Sequence, residues 1–224
     1  MLADAIGGML PAIMAIALTP IQLVGIVIVL GGPRGRAAGP AFLMGWLAAL
    51  AIVTVAAVLL IEKLGEGGRA GTPLVHWLQI AVGVVALSMA LRLWWTRPQD
   101  DAEPATPKWL ASLGQAGPMR AFAVGASMVA ANPKILALVL AAMTSLAYLT
   151  LSFRQVTAVT IIFVLLASSP VIALVVAHAV GGPGTASRIE GIKRFMIRNN
   201  SVILMVVFAM LGMSVLGNGV SGLR

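Results

Sequence analysis

A lysine deep inside an apolar run is the residue of this sequence most able to do chemistry. Lys134 follows Asn132 and Pro133 within such a run, and no other strong charge lies near the middle of an apolar run. If the run crosses a membrane, a cation at that depth costs roughly 2.5 to 3.5 kcal/mol on insertion scales, and such residues are functional by default. Lys134 therefore predicts a polar cavity that receives an anion such as phosphate, sulfate or carboxylate.

A second polar residue followed by proline stands at the matching place of the first apolar run. Thr19-Pro20 lies 113 residues before Asn132-Pro133. Proline lacks an amide donor and clashes with the preceding turn, so both helices are expected to kink there and to leave a carbonyl without its usual partner. Matched breaks in the two halves of a membrane chain are the best sequence pointer to a substrate site. We expect the two prolines to approach each other near the bilayer centre.

Further polar side chains in the apolar runs complete the predicted site. Gln22 follows the first proline, and the segment Ser168-Ser169-Pro170 adds two hydroxyl groups and a third expected break. Ser and Thr side chains can also bond back to their own helix, which is a structural role. The predicted substrate-binding residues are Thr19, Pro20, Gln22, Asn132, Pro133, Lys134, Ser168, Ser169 and Pro170.

The acidic residues are all in loops or at the ends of the apolar runs. A divalent-metal exporter or a carboxylate-based proton coupler needs such groups within the membrane. The two histidines, His76 and His178, are also near the ends of runs, so we expect interfacial contacts rather than a proton relay. The residue sets of an intramembrane protease are missing from the sequence. No catalytic residue, metal site or cofactor is predicted, and the chain is predicted not to be an enzyme.

The composition indicates which elements must position these residues. Hydrophobic residues make up 60% of the 224-residue chain and charged residues 10%, a balance that soluble domains rarely reach. A membrane crossing needs about 20 apolar residues, and helices are favoured because the period-two alternation of a barrel is absent. The sequence therefore predicts an all-α polytopic membrane protein with six transmembrane helices, over residues 6–30, 40–61, 73–95, 119–149, 156–179 and 201–216.

The basic residues predict the orientation of these helices and exclude one class of partner. The positive charge is spread over short loops between apolar runs, so no nucleic-acid partner is predicted. When the loops are assigned alternately to two sides, one side has ten Lys and Arg residues and the other has four. The positive-inside rule makes the richer side cytoplasmic, which places the chain in the cell inner (plasma) membrane with both termini outside. A re-entrant hairpin at Asn132-Pro133 would reduce the bias to eight against six, so a full crossing is favoured. The predicted cytoplasmic residues are Arg34, Arg36, Arg92, Arg97, Lys108, Arg120, Arg188, Lys193, Arg194 and Arg198.

The 113-residue offset also superposes the second apolar run on the fifth and approximately the third on the sixth. Because three is odd, two consecutive three-helix copies must insert with opposite orientation, which gives an inverted repeat with broken helices 1 and 4. The predicted organisation is a first repeat over 1–95, a cytoplasmic linker with a short amphipathic helix over 96–118, and a second repeat over 119–224. Residues 108–115 and 188–198 have the pattern of short helices that lie in an anionic lipid surface.

Several motifs are spread over nearly the whole chain. They are Leu18-Thr19-Pro20, Gly32-Pro33-Arg34-Gly35-Arg36, Ala41-Phe42-Leu43-Met44-Gly45-Trp46, Ala131-Asn132-Pro133-Lys134 and Arg198-Asn199-Asn200 through Leu216-Gly217-Asn218-Gly219. These motifs resemble the LysE transporter superfamily, and within it the small integral membrane proteins that address glycopeptidolipids and sulfolipids to the actinobacterial cell surface. This resemblance implies export or inner-membrane translocation of an envelope lipid or its precursor, with Asn132, Pro133 and Lys134 at the centre of the pathway.

Three functional hypotheses follow from these observations. The first is a transporter or flippase for an anionic envelope lipid, the second an exporter of amino acids or similar small solutes, and the third a non-transporting scaffold of a lipid-synthesis or export complex. The predicted partners are membrane lipid and an anionic lipid or small anionic substrate. Small residues at four-residue spacing, such as Ala121 and Gly125, permit close packing inside one chain or between two. A homodimer is therefore left open.

Overall fold

The computed structural model describes residues 2–66, 73–96, 112–144, 146, 151–181, 191, 195 and 198–221. The described part of the chain is helical and has no strand, which confirms the predicted all-α class of membrane protein. The helices are α1 (Leu2–Ala17), α2 (Pro20–Leu30), α3 (Gly35–Glu66), α4 (Pro73–Trp95), a 3-10 helix (Ser112–Gln115), α5 (Pro118–Ala130), α6 (Pro133–Thr144), α7 (Phe153–Val180) and α8 (Asn200–Ser221).

Local sequence explains where several of these helices begin. Pro20, Pro118 and Pro133 each stand at the first position of a helix, where the missing amide needs no partner and the fixed φ suits the helical turn. Helix α7 begins instead with a capping box, in which Ser152 and Gln155 bond reciprocally.

Both predicted proline kinks are full interruptions of the helix. Helices α1 and α2 meet at a bend of 50°, and α5 and α6 meet at a bend of 60°. In each case two residues leave the helical conformation before the proline starts a new helix.

The third break, expected at Pro170, is wrong because α7 continues through this residue. Proline 170 cannot donate to the carbonyl of Leu166, one turn earlier. The hydroxyl of Ser169 donates to that carbonyl at 2.7 Å. Since a side chain supplies the missing donor, the helix can tolerate the proline in an apolar environment.

Within the described residues, α3 and α7 are each long and apolar enough to cross a membrane, over Gly35–Ile61 and Phe153–Val180. The two bent pairs bring the number of candidate spans to four if each pair is one span. Helices α4 and α8 contain shorter apolar helices, Gly83–Trp95 and Met205–Ser221. The prediction of six crossings therefore stays a prediction.

Glycines allow the closest helix contacts. A Cβ atom on Gly45 of α3 would collide with the backbone of Phe122 in α5, and one on Gly125 of α5 would collide with the backbone of Phe42 in α3. Ala121 is fully buried one turn from Gly125. This pair of small residues therefore packs inside one chain and gives no support for a dimer.

The other extensive contacts pair α4 with α8, α1 with α7, and α3 with α7. Helix α2 packs on α3 and α7, while α6 packs on α1 and α3. On α4, the side chain of His76 is 6% exposed. Burial against protein does not fix the depth of a residue in the membrane, so the interfacial contact that we expected for His76 stays a prediction.

The loop after α2 packs against the 3-10 helix, where a Cβ on Gly32 would collide with the backbone of Gly114. The guanidinium of Arg34 lies beside Gly117, at the start of α5. Of the predicted amphipathic helix over 108–115, the last four residues form this 3-10 helix and the others lie outside the described residues. The segment 188–198 also lies outside them, except for residues 191, 195 and 198.

Candidate functional site

The first helix break is closed by its own side chains. Pro20 cannot donate to the carbonyl of Ile16, which accepts instead from the amide of Thr19 at 3.1 Å. The side-chain amide of Gln22 donates to this carbonyl at 2.7 Å and to that of Ala17 at 3.3 Å. The hydroxyl of Thr19 donates to the carbonyl of Ala15 at 2.8 Å. Three of the predicted site residues therefore meet at this break, where Thr19 and Gln22 satisfy its carbonyls.

Gln22 has one side-chain polar atom without a hydrogen-bond partner. Its side chain is fully buried, and Oε1 has no hydrogen-bond partner. The orientation of the amide follows from the network, because exchanging its oxygen and nitrogen would turn Oε1 toward two carbonyl oxygens. Gln22 thus presents an unsatisfied acceptor inside the bundle, and a buried acceptor of this kind requires a donor.

The second helix break is organised differently. The side-chain oxygen of Asn132 accepts from the amides of Lys134 at 3.1 Å and Ile135 at 3.4 Å. Asn132 therefore caps the amino terminus of α6, which is a structural role that asparagine fills well. Pro133 follows as the first residue of the helix and is exposed.

Lys134 is half-buried in the first turn of α6. Its ammonium lies 5.2 Å from the centroid of the Phe208 ring, which belongs to α8. This is the geometry of a cation–π contact, which attracts a cation without neutralising its charge. The cation–π contact therefore holds Lys134 at the break, and no carboxylate pairs with it among the described residues.

The two breaks differ in how their carbonyls are covered. The position 113 residues after Gln22 is Ile135, which has no side-chain amide to donate. The residues just before the second break, Ala130 and Ala131, are exposed. The first break is thus covered by side chains, whereas the second has two exposed alanines beside a cation.

The serines predicted in α7 do not belong to either break. Ser168 is fully buried and its oxygen accepts a hydrogen bond of 3.0 Å from the indole of Trp46, in α3. Ser169 is exposed and bonds back to its own helix, next to Pro170. The bond between Trp46 and Ser168 joins α3 to α7 in the bundle interior, and Ser169 serves the helix that carries it.

The predicted residues therefore fall into three groups rather than one. In the described part of the chain, no hydrogen bond connects the first break, the second break and the pair of Trp46 with Ser168. Pro20 is buried whereas Pro133 is exposed. The expected approach of these prolines stays a prediction.

Sequence reasoning missed two aromatic partners. Trp46 is fully buried while Trp77, Trp94 and Trp95 are exposed near helix ends. A buried indole needs an acceptor, so a tryptophan in the middle of an apolar run could have predicted a polar partner. Phe208 lies 74 residues from Lys134, and no local pattern could have paired them.

The comparison with known families was decisive for the identity of the chain. Neither a curated protein nor a solved structure matches it. A family model described as Sap, sulfolipid-1-addressing protein, matches residues 9–221. This match covers α2 to α8 entirely and most of α1, and thus includes both helix breaks. The chain therefore belongs to the Sap family of sulfolipid-1-addressing proteins.

Proposed function

We propose that this protein is a transporter or flippase that exports an anionic envelope lipid, or a precursor of one, across the inner membrane. The observation that carries the proposal is Lys134, a half-buried cation in an interrupted helix with exposed residues beside it. The family description names a sulfolipid, and a sulfate group is an anion that an ammonium can bind. In this proposal the head group contacts Lys134 while Asn132 holds the start of α6 in place.

The lengths of the broken helices support two further crossings. Helix α5 has 13 residues and α6 has 12, which correspond to about 20 Å and about 18 Å. At a bend of 60° the second half still advances about 9 Å, so the pair extends about 29 Å against a hydrocarbon core of about 30 Å. A re-entrant hairpin would instead reverse direction. The pair α1 and α2 extends farther, since α1 has 16 residues.

The packing pattern supports a duplication of three helices. If α1 and α2 correspond to α5 and α6, then the contact of α1 with α7 has its counterpart in that of α5 with α3. Likewise, α2 with α7 corresponds to α6 with α3, and the pairs α3–α7 and α4–α8 map onto themselves. The contacts of α1 with α8 and α2 with α3 have no counterpart of similar extent in the described residues. Inverted repeats, both termini outside and membership of the LysE superfamily are parts of this proposal.

One observation favours the second hypothesis, an exporter of amino acids or similar small solutes. The unsatisfied Oε1 of Gln22 accepts hydrogen bonds only, so it suits an ammonium or amide donor better than a sulfate. A zwitterionic amino acid could offer a donor to Gln22 and a carboxylate to Lys134. This hypothesis requires that the two breaks face one common cavity.

The decisive experiment measures transport in liposomes with the purified protein. A fluorescent sulfated glycolipid is compared with its unsulfated form, and the label that reaches the opposite leaflet is counted by an impermeant quencher. The intact protein is expected to move the sulfated form. Lys134→Met keeps side-chain length and removes the charge, so its transport rate should fall at least about tenfold, which corresponds to about 1.4 kcal/mol.

The matched control is Lys63→Met, which removes an exposed lysine near the end of α3 and should transport normally. Normal transport by Lys134→Met at equal membrane abundance would overturn the charged-site mechanism. Movement of a labelled amino acid, but of neither lipid, would establish the solute exporter. A protein that moves none of these substrates would support the accessory scaffold of an export complex.

A further inference from the structure

A cavity of about 220 Å³ lies away from both helix breaks. It is formed where α2 ends, α3 begins and α7 ends. We call it the basic cavity, and its lining residues are Leu30, Arg36, Pro40, Val175, His178 and Ala179.

The lining of the basic cavity has the composition of an anion site with an apolar base. Arg36 supplies a guanidinium and His178 an imidazole, and both can donate hydrogen bonds. None of the described lining residues is acidic, so among them no carboxylate neutralises Arg36. The neighbouring Arg34 is directed to Gly117 instead.

The size and surroundings of the cavity favour a head group over a complete small ligand. Pockets for drug-sized molecules have volumes of roughly 300 to 1,000 Å³, and the basic cavity is smaller. Val176 and Val180, in the same turns of α7 as His178, are 53% and 84% exposed. Exposed apolar side chains beside the cavity suit the acyl chains of a molecule whose anionic end lies inside.

The position along the bundle agrees with such a ligand. Arg34, Arg36 and the start of α5 are at one end of the bundle, and the distribution of basic residues predicts that this end is cytoplasmic. Basic pockets between helices at the cytoplasmic side typically bind phosphate-bearing lipid head groups.

We propose that the basic cavity binds the phosphate head group of an anionic membrane phospholipid from the cytoplasmic leaflet, through Arg36 and His178. This site is separate from the break at Lys134 and does not depend on what the protein transports. The acyl chains of the bound phospholipid lie along the exposed face of α7 at Val176 and Val180.

The test uses the full-length protein in nanodiscs of phosphatidylcholine that contain a minor fraction of phosphatidylglycerol. Native mass spectrometry measures how much phosphatidylglycerol stays bound. We expect enrichment over its bulk fraction, a loss of roughly fivefold in Arg36→Gln, which removes a cationic side chain, and a smaller loss in His178→Gln. Arg154→Gln is the matched control, because it removes an exposed arginine at the opposite end of α7.

A second variant keeps both basic residues and therefore tests the site without removing them. Ala179→Glu places a carboxylate at an exposed lining position, where it should compete with phosphate for Arg36 and lower the retained lipid by a similar factor. Unchanged retention in Ala179→Glu and in the Arg36→Gln, His178→Gln double variant would refute the proposal. Binding of inorganic phosphate without any retention of phosphatidylglycerol would also refute the proposal, since the ligand would then be a free anion.

The same measurement separates this site from the proposed pathway. Lys134→Met should retain phosphatidylglycerol as the intact protein does, even if it no longer transports. A loss of the bound lipid in Lys134→Met would place the lipid at the second break and overturn the assignment to the basic cavity.

Discussion

The hydroxyl of Ser169 donates a hydrogen bond of 2.7 Å to the carbonyl of Leu166, the group that Pro170 leaves without an amide donor. Ser169→Ala should therefore lower stability by about 0.6 to 1.5 kcal/mol. In a Pro170→Ala background the helical amide returns, so the same serine substitution should have almost no effect. Thermal unfolding followed by circular dichroism measures both steps of this double-mutant cycle.

The control for this cycle is Ser88→Ala. Ser88 also bonds back to its helix, at the carbonyl of Val85, but no proline removes the amide donor one turn later. Its substitution should change the melting temperature less than Ser169→Ala does. Equal effects of Ser169→Ala with and without Pro170 would show that the serine does not compensate for the proline.

Gln22→Glu tests how the first break is held together. The substitution preserves shape but replaces the donor nitrogen with an oxygen that faces the carbonyls of Ile16 and Ala17. The variant should be less stable than the intact protein at pH 8. The difference should be smaller at pH 5, because a protonated carboxyl group can donate in place of the amide and this contribution is lost as the pH rises.

Gln155→Glu is the matched control for that experiment. In Gln155 it is the side-chain oxygen that accepts, from the amide and hydroxyl of Ser152, and glutamate keeps this oxygen. We expect no loss of stability there at either pH. If Gln22→Glu were as stable as Gln155→Glu at pH 8, the amide of Gln22 would not be what closes the break.

The sequence predicts the helix breaks because their cause is local. Proline at 20 and at 133 removes the amide donor for the carbonyl four residues earlier. The same local rule fails at Pro170, where an adjacent serine supplies the lost donor. Since Thr19 likewise precedes Pro20, a hydroxyl residue next to the proline does not by itself distinguish the two cases.

The grouping of the site residues depends on tertiary packing and could not be predicted in the same way. Ser168 contacts Trp46, 122 residues earlier in the chain, and Lys134 lies over Phe208. Which helices are neighbours determines both pairs, whereas hydrophobic periodicity predicts only where the individual helices are. The apolar residues around Gln22 predict that it is buried. They do not predict its hydrogen-bond partners, which depend on which carbonyls the break exposes.

The hydrogen bond between Trp46 and Ser168 should contribute measurably to stability. Both side chains are fully buried, so Ser168→Ala leaves the indole N–H without a partner at a cost of about 1 to 3 kcal/mol. In Trp46→Phe the donor is absent, and Ser168→Ala should then be almost neutral. A coupling energy near zero between the two substitutions would show that this contact is not a stabilising bond.

The predicted orientation can be tested with single cysteines, because the chain has none of its own. Cysteine at position 67 should react with an impermeant reagent added to intact cells. Cysteines at positions 36 and 190 should react only after the membrane is opened. The reverse pattern would invert the topology, and it would place the basic cavity at the outer leaflet.

The contact between Lys134 and Phe208 gives the last prediction. The ring is 5.2 Å from the ammonium, and a cation–π contact at a half-buried site contributes about 1 kcal/mol. Phe208→Leu removes the aromatic face and should lower the free energy of unfolding by that amount beyond its effect on packing. Lys134→Met should itself be neutral or stabilising, because it removes a costly charge from an apolar environment.

The pair is established only if the two effects depend on each other. In a Lys134→Met background, Phe208→Leu should lose its cation-dependent part and retain only the packing cost. Phe153→Leu, at a position that is 86% exposed, serves as control. Its effect on the free energy of unfolding should be small, and equal with and without the lysine. Additive effects at Lys134 and Phe208 would mean that the ring does not hold the ammonium, and that the lysine must find its partner in a ligand alone.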